Sequence, residues 1–169
     1  MQLLKLSAAA MIGLSLTGCV RIESTSTQSP TVIGVTKSAG TCTEPGGISL
    51  TIEREVSQSY CIRGFSGTSW QLLEEVAQIR GTDDYPDSFV CRIDDWPKAT
   101  DNDCSSSASD FGYWNFYTSD SGSWQVAKEG AATHRPACGS AEAWKWIAGA
   151  WSEQVAMPSS DPEVFSCPD

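Results

Sequence analysis

The stretch FVCRIDDWPKATDNDC, residues 89–104, concentrates side chains that could carry out chemistry. Its oxygen-bearing side chains are Asp94, Asp95, Asp101, Asn102 and Asp103. Such oxygens bind Ca²⁺, but the calcium-loop pattern also needs a central Gly and a distal Glu, which are absent. Asp94 and Asp95 are neighbours, so in a strand they would point to opposite faces and could not act as an acid–base pair. The stretch therefore predicts an acidic hairpin loop closed by a disulfide between Cys91 and Cys104.

The only histidine, His134, stands in ATHRPACG, where Pro and Gly indicate a loop. A hydrolytic triad needs a nucleophile, a base and a group that orients the base, and no Gly-x-Ser-x-Gly motif is present. The cysteines lack the tight spacings of a zinc site. The sequence therefore predicts no catalytic residue, no metal site, no cofactor and no enzymatic activity. An exposed loop position is favoured for His134, with a role as a metal or cofactor ligand as the alternative.

Seven tryptophans are the most informative feature of the composition. In a strand, Trp144 and Trp146 would share one face and Lys145 the other, and the same alternation separates Trp114 and Phe116 from their neighbours. One face would pack on the core, and the other is a candidate platform for a flat apolar or sugar-like ligand. The predicted contact residues are Tyr113, Trp114, Asn115, Trp124, Trp144 and Trp146. Core packing is the alternative explanation for about half or more of the aromatic side chains.

The N-terminal residues indicate the compartment. Lys5 precedes an apolar run, residues 6–16, that is shorter than the roughly 20 residues of a membrane-spanning helix. The sequence Leu-Thr-Gly-Cys that ends at Cys19 resembles the bacterial lipobox, whose cysteine receives a diacylglyceryl group. Residues 1–18 are therefore predicted to be a lipoprotein signal peptide, and Cys19 the lipidation site. Cleavage elsewhere, with Cys19 as a spare thiol, is the alternative.

An even number of cysteines remains beyond Cys19. They are Cys42, Cys61, Cys91, Cys104, Cys138 and Cys167. In an oxidising compartment this count predicts three disulfides. Only Cys91–Cys104 is predicted as a pair, because a strand end and the end of the following loop are expected to be neighbours. The pairing of the other four cysteines stays open.

The charge and composition of the chain limit its partners and divide it into segments. Its formal net charge is −10 at pH 7, which disfavours binding to nucleic acid or to anionic lipid headgroups. Residues 19–46 are rich in Ser, Thr, Gly and Pro and are predicted to be a lipid-anchored flexible linker. Residues 47–148 are predicted to form the one folded domain, and residues 149–169 an irregular C-terminal tail.

The elements that would position these side chains are strands with one helix among them. Apolar and polar residues alternate from Gly47, which predicts a strand. Thr68 and Gln71 form a candidate capping box, and the apolar spacing after them predicts a helix of about three turns that ends at Gly81. Further strands are predicted at residues 60–63, 89–93, 113–117, 124–127 and 142–147. This order predicts an α+β fold, a small mixed sheet with one main helix packed on one face.

Four ordered sequence blocks carry a family resemblance. They are FVCRIDDWP with its closing Cys104, then YWNFY, GSW and EAWKW. Through these blocks, residues 47–148 resemble the small β-grasp domains of secreted actinobacterial proteins that are related to the C-terminal domain of transcobalamin and intrinsic factor. The resemblance implies a β-grasp-like fold and a soluble ligand, with cobalamin as the best-known case.

Together these patterns predict a cell-surface lipoprotein without enzymatic activity. Its β-grasp-like domain would bind a soluble ligand, for capture or for presentation to a membrane partner, and the resemblance implies a corrinoid of the cobalamin type. The membrane contact would come from the N-terminal lipid. The alternative is a protein–protein interaction module of the cell envelope that has no small-molecule ligand.

Overall fold

The computed structural model describes residues 34–107, 110–152 and 155–167. The predicted signal peptide, residues 1–18, and the predicted lipidation site Cys19 lie outside these ranges. The strands are β1 (Thr36–Ala39), β2 (Gly47–Glu53), β3 (Ser57–Arg63), β4 (Ile79–Gly81), β5 (Val90–Ile93), β6 (Gly112–Ser119), β7 (Gln125–Val126) and β8 (Ala141–Ala148). The helix α1 comprises Ser69–Glu74.

Six strands form one mixed sheet in the order β1-β3-β2-β8-β6-β7. The central pair, β2 and β8, is parallel, and every other neighbouring pair is antiparallel. β4 and β5 form a separate two-stranded antiparallel sheet. All seven residues of β2 are buried, because this strand lies between two others and is covered on both faces. β1 falls within the segment predicted as a linker.

The helix is much shorter than the sequence predicts. The capping box of Thr68 and Gln71 is present, but α1 has six residues and Glu75 is its C-cap. The chain then leaves the helix because β4 pairs with β5, and the backbone N–H of Gln78 donates to Oδ1 of Asp94 at 3.0 Å. Long-range strand pairing here outweighs local helical periodicity. The prediction of a β-grasp-like α+β fold with one main helix on one face is therefore wrong, and the described chain is mostly sheet.

Within the described ranges, no helix is long and apolar enough to cross a membrane.

One face of the six-stranded sheet carries the main apolar core. Side chains alternate along each strand, so Ile52 of β2, Phe116 of β6 and Trp144 of β8 all point to this face. α1 covers part of it with Leu72 and Leu73, both fully buried. Each side chain of this size contributes about 1.5–3 kcal/mol when it leaves water. The core therefore holds β2, β6, β8 and the helix together.

The opposite face of the sheet is covered by the C-terminal segment, residues 155–167. The hydroxyl of Tyr117 donates to the carbonyl oxygen of Ala156 at 2.8 Å, and the backbone N–H of Phe165 donates to the carbonyl oxygen of Gly139 at 2.8 Å. The segment has no regular secondary structure, so its backbone groups bond to side chains and strand ends instead. It belongs to the tail that the sequence predicts to be irregular.

An ion pair joins the C-terminal segment to the two central strands. Lys145 of β8 contacts Oε1 of Glu53 of β2, and both side chains are largely buried. The other carboxylate oxygen of Glu53 accepts from the backbone N–H of Ser159 at 2.7 Å, and Lys145 also donates to the carbonyl oxygen of Met157 at 2.9 Å. Burial alone would raise the pKa of Glu53, but the hydrogen bonds from Lys145 and Ser159 outweigh it and lower the pKa.

Three disulfides cross-link the described chain. They are Cys42–Cys61, Cys91–Cys104 and Cys138–Cys167. The second is the pair that the sequence predicts, and it closes the acidic loop. The third ties the C-terminal segment to the chain that precedes β8. Such cross-links persist in oxidising compartments.

Replacing Cys138 and Cys167 together by Ser should lower the free energy of unfolding by about 3.5 kcal/mol, because the bridge spans 29 residues. Urea denaturation measures this change. The amide of Ser159 should also exchange with solvent faster, since the C-terminal segment loses an anchor. Unchanged stability with unchanged exchange at Ser159 would show that the other contacts hold the segment without the disulfide.

Candidate ligand-binding groove

The residues predicted as ligand contacts do not form one platform. Trp114, Trp144 and Trp146 point to the core face, and the first two are only 4% and 3% exposed. Tyr113 and Asn115 point to the opposite face, because neighbouring residues of β6 alternate. The set is therefore divided between the two faces of the sheet.

Trp124, the sixth predicted contact residue, lies apart from the other five. It is half-buried, and its Nε1–H donates to the carbonyl oxygen of Ser160 at 2.6 Å. This bond holds the C-terminal segment against the end of the sheet. Trp124 therefore stabilises the position of the C-terminal segment.

An aromatic cluster surrounds Trp146. Its ring centroid lies 5.6 Å from that of Trp114, 5.9 Å from that of Phe111 and 6.1 Å from that of Trp96. The contacts with Trp96 and Trp114 are edge-to-face, an arrangement that stabilises aromatic pairs by about 0.5–1.5 kcal/mol beyond burial. Trp146 is half-buried, so the cluster extends from the core to the surface.

A groove follows the outer edge of β6. This strand has eight residues, whereas β7 has two and pairs only with Tyr117 and Thr118. Beside the rest of β6 lies a cavity of about 470 Å³, and a second cavity of about 300 Å³ shares Phe89, Trp114 and Asn115 with it. We call the two cavities together the β6 groove. Its main lining side chains are Phe89, Asp110, Tyr113, Trp114, Asn115 and Trp151.

The walls of the β6 groove expose large apolar side chains to solvent. Trp151 is 69% exposed, Val126 41% and Phe89 36%. A single exposed apolar residue is ordinary, but several around one concave surface are typical of an interaction site. These three line the cavities described above. The groove therefore offers apolar contact area that the described chain does not cover.

One polar group of the groove residues is buried without a hydrogen-bond partner among the described residues. The side chain of Tyr113 is 8% exposed, and its hydroxyl has no partner among the described residues. The side-chain amide of Asn115 interacts with the hydroxyl of Tyr117 on the same face of the sheet. Leaving such a group unsatisfied costs about 1–3 kcal/mol. A ligand that reached the Tyr113 hydroxyl could recover part of that free energy.

A smaller cavity of about 260 Å³ lies at the turn between β2 and β3. It is lined by Arg54, Glu55, Val56, Gln58 and Trp96. Val56 is 70% exposed, and only Trp96 contributes an aromatic wall. This site therefore offers less enclosed apolar surface than the β6 groove, and Val56 is a suitable position for control substitutions.

A buried polar cluster lies on the core face, between α1 and β8. The Glu142 carboxylate is fully buried, and its Oε1 accepts a hydrogen bond from Oγ of Ser69 at 2.5 Å. Nε2 of His134 lies 3.5 Å from the same oxygen, while Oε2 of Glu142 has no partner in the described structure. Burial raises the pKa of Glu142, and the hydrogen bond from Ser69 opposes part of that rise. The resulting pKa is about 8.

This cluster does not have the geometry of a hydrolytic triad. A triad places the imidazole between the hydroxyl and the carboxylate, whereas here the carboxylate of Glu142 lies between Ser69 and His134. Ser69 is also fully buried, so a substrate could not reach it. Glu142 is not among the site residues predicted from the sequence. Strand alternation could have indicated it, because it places this acidic residue on the same face as Trp144 and Trp146.

Side chains of the acidic loop accept hydrogen bonds from backbone N–H groups. Asp94 takes a left-handed φ of 52° and accepts from the Gln78 amide, and Asp95 is exposed. Asn102 accepts from the backbone N–H of Cys104 at 2.9 Å. Over the described ranges, no group of three His, Cys, Asp or Glu side chains could hold a metal ion.

A family model described as the SCO2322-like domain matches residues 106–167. This part of the chain contains β6, β7, β8 and the C-terminal segment, and thus the floor of the β6 groove. No curated protein and no solved structure matches the chain. The resemblance to the transcobalamin-related domains therefore stays a prediction.

Proposed function

We propose that this chain is a lipid-anchored extracytoplasmic binding protein, without enzymatic activity, that captures a ligand in the β6 groove and presents it to a membrane partner. The observation that carries the proposal is an aromatic groove whose residue Tyr113 keeps a buried hydroxyl that no described residue hydrogen-bonds. Small-molecule sites are commonly concave, mostly apolar and supplied with a few polar groups. The three disulfides agree with an oxidising location.

The lining of the β6 groove favours one kind of ligand. Phe89, Trp114 and Trp151 offer flat apolar surface, and Asn115 and Tyr113 offer polar groups beside it. A ring-bearing ligand with hydrogen-bonding substituents would match both. A corrinoid is such a ligand, and it is the one that the family resemblance implies.

A protein partner is the second candidate. It is favoured by the exposed apolar side chains of Phe89, Val126 and Trp151 around the groove, because such a surface is typical of a protein interaction site. In that case the same groove would receive a segment of an envelope protein.

The lipid anchor rests on Cys19 and is tested at that residue. Replacing Cys19 by Ser should move the chain from the membrane fraction to the soluble extracytoplasmic fraction, because no acyl chain would be attached. Immunoblots of the fractions and incorporation of labelled palmitate measure the change. Membrane retention of the variant at the level of the unaltered chain would contradict the proposed anchor.

Truncating the groove walls should weaken ligand binding. Trp151→Ala and Phe89→Ala should each raise the Kd about tenfold, because each removes apolar contact area, whereas Val56→Ala should leave it unchanged. Equilibrium dialysis against cobalamin, cobinamide and a panel of ring-bearing metabolites measures the effect. A bound compound whose affinity is the same in all three variants would place its site outside the β6 groove.

A further inference from the structure

The larger cavity of the β6 groove has aromatic walls. Of the residues that line its volume of about 470 Å³, four carry an aromatic ring: Phe89, Tyr113, Trp114 and Trp151. Trp151 is 69% exposed and Phe89 36%, so solvent reaches these two walls, whereas the other two rings are almost fully buried and form the floor. The face of an aromatic ring attracts a cation that lies within about 6 Å of the ring centre. A cation that entered this cavity could therefore contact the exposed rings.

A carboxylate lines the same cavity. Asp110 is exposed, and it is the only charged residue among the described residues that line this cavity. No described Lys, Arg or His side chain forms an ion pair with it. Its negative charge is therefore not compensated within the described ranges, and a cationic ligand could pair with it.

The charge of the rest of the chain acts in the same direction. The formal net charge is −10, so cations are attracted to the protein and anions are repelled. The smaller cavity of the β6 groove is lined by one charged residue of each sign, Lys128 and Glu129, which together contribute no net charge. The charges near the groove therefore favour a cation.

An organic cation suits this cavity better than a metal ion does. A metal ion such as Ca²⁺ needs several oxygen ligands, and Asp110 is the one described carboxylate in the lining. An organic ammonium group is held by aromatic faces, and a quaternary ammonium group needs no hydrogen-bond acceptor. The volume of the cavity also lies in the range of sites that bind small organic molecules.

From these observations we infer that the larger cavity of the β6 groove binds an organic cation, whose ammonium group contacts Trp151 and pairs with Asp110. The hydroxyl of Tyr113 has no partner among the described residues, so a polar substituent of the ligand could bond to it. This inference rests on the proposed function, since it requires the β6 groove to be a ligand site, and it specifies the class of ligand.

The test compares two compounds of nearly the same shape. They are 3-hydroxyphenyltrimethylammonium, which is a cation, and 3-tert-butylphenol, which is neutral. Isothermal titration calorimetry of the purified mature chain carrying Cys19→Ser measures the Kd of each. The ammonium compound should bind about fivefold more tightly or better, because only its charge interacts with the ring faces and with Asp110.

Three variants assign this preference to the cavity. Asp110→Asn should reduce it about threefold, since the paired charge is lost. Glu55→Gln removes the same charge at an exposed position outside the groove and should leave the preference unchanged. Trp151→Leu keeps an apolar side chain without a ring, so it should weaken binding of the ammonium compound more than binding of the neutral one.

Other outcomes would overturn the inference. Equal affinities for the two compounds, both weakened in Trp151→Leu, would exclude the preference for a cation and retain the groove as a ligand site. A preference that falls equally in Asp110→Asn and Glu55→Gln, or in neither, would place the cation outside the cavity. If neither compound binds, the inference is wrong. Binding of neutral ring-bearing metabolites in the groove would then still support the proposed function, and its absence would contradict both.

Discussion

The free energy of unfolding should fall by up to about 5 kcal/mol as the pH rises from 4.5 to 9, and Glu142→Gln should remove most of that fall. In the folded chain, burial holds the pKa of Glu142 at about 8, against an ordinary value of 4.5. Between these values the folded state keeps a proton that the unfolded state has lost. Stability from this group is therefore complete below about pH 4.5 and is lost as the pH rises through about 8.

The groups that face Glu142 modify this dependence. The hydroxyl of Ser69 donates to the carboxylate and lowers the pKa of Glu142, so Ser69→Ala should raise this pKa further. The negative charge of Asp120 also raises the pKa of Glu142. Nε2 of His134 lies 3.5 Å from the same carboxylate oxygen of Glu142. Urea denaturation at a series of pH values measures the slope. Glu55→Gln, at an exposed position, is the matched control, and equal slopes in the two variants would contradict the assignment.

Trp144→Ala should lower the free energy of unfolding by about 3–5 kcal/mol. The indole is 3% exposed and stacks on Phe116, with 4.7 Å between the ring centroids and 17° between the planes. Its removal would leave a cavity in the core between β6 and β8. Trp151→Ala, at a position 69% exposed, should change the stability by less than about 0.5 kcal/mol.

Trp144→Phe separates the contribution of aromatic packing from the cost of the buried indole N–H. The indole N–H of Trp144 is buried without a partner in the described structure, so a phenyl ring would remove that unsatisfied donor and keep most of the apolar contact. We expect a loss below about 1.5 kcal/mol, measured by urea denaturation. A loss as large as that of the Ala variant would show that the size of the indole, rather than burial of an aromatic ring, determines stability here.

Strand alternation predicted much of the sheet. The pattern that begins at Gly47 became β2, and the shared face of Trp144 and Trp146 is observed in β8. These features depend on local spacing alone, which the sequence displays directly. The pairing of Cys91 with Cys104 could also be predicted, because both residues belong to one hairpin-like stretch.

Contacts between distant residues could not be predicted in the same way. The helix after Thr68 ends early because β4 pairs with β5. The apolar spacing of residues 70–77 does not indicate that pairing. The C-terminal segment has no periodicity, yet its Ser159 amide bonds to Glu53, 106 residues away. Such contacts depend on the completed fold rather than on local pattern.

The candidate site was likewise predictable from the sequence only in part. Tyr113, Trp114 and Asn115 were chosen for their aromatic and polar character, and all three line the β6 groove. The groove itself follows from the short pairing of β7 with β6, which the sequence did not indicate. Phe89 and Trp151 were therefore missed as groove residues, since they reach it from other parts of the chain.

The most direct test of the binding groove is ¹⁹F NMR of the chain labelled with 5-fluorotryptophan, with signals assigned from single Trp→Phe variants. The chain is titrated with a library of small aromatic and sugar fragments. We predict that binding fragments shift the signals of Trp151 and Trp114, which line the β6 groove, and leave that of Trp124 unchanged. If no fragment moves Trp151 or Trp114, or if binders move Trp124 instead, the β6 groove is not the ligand site.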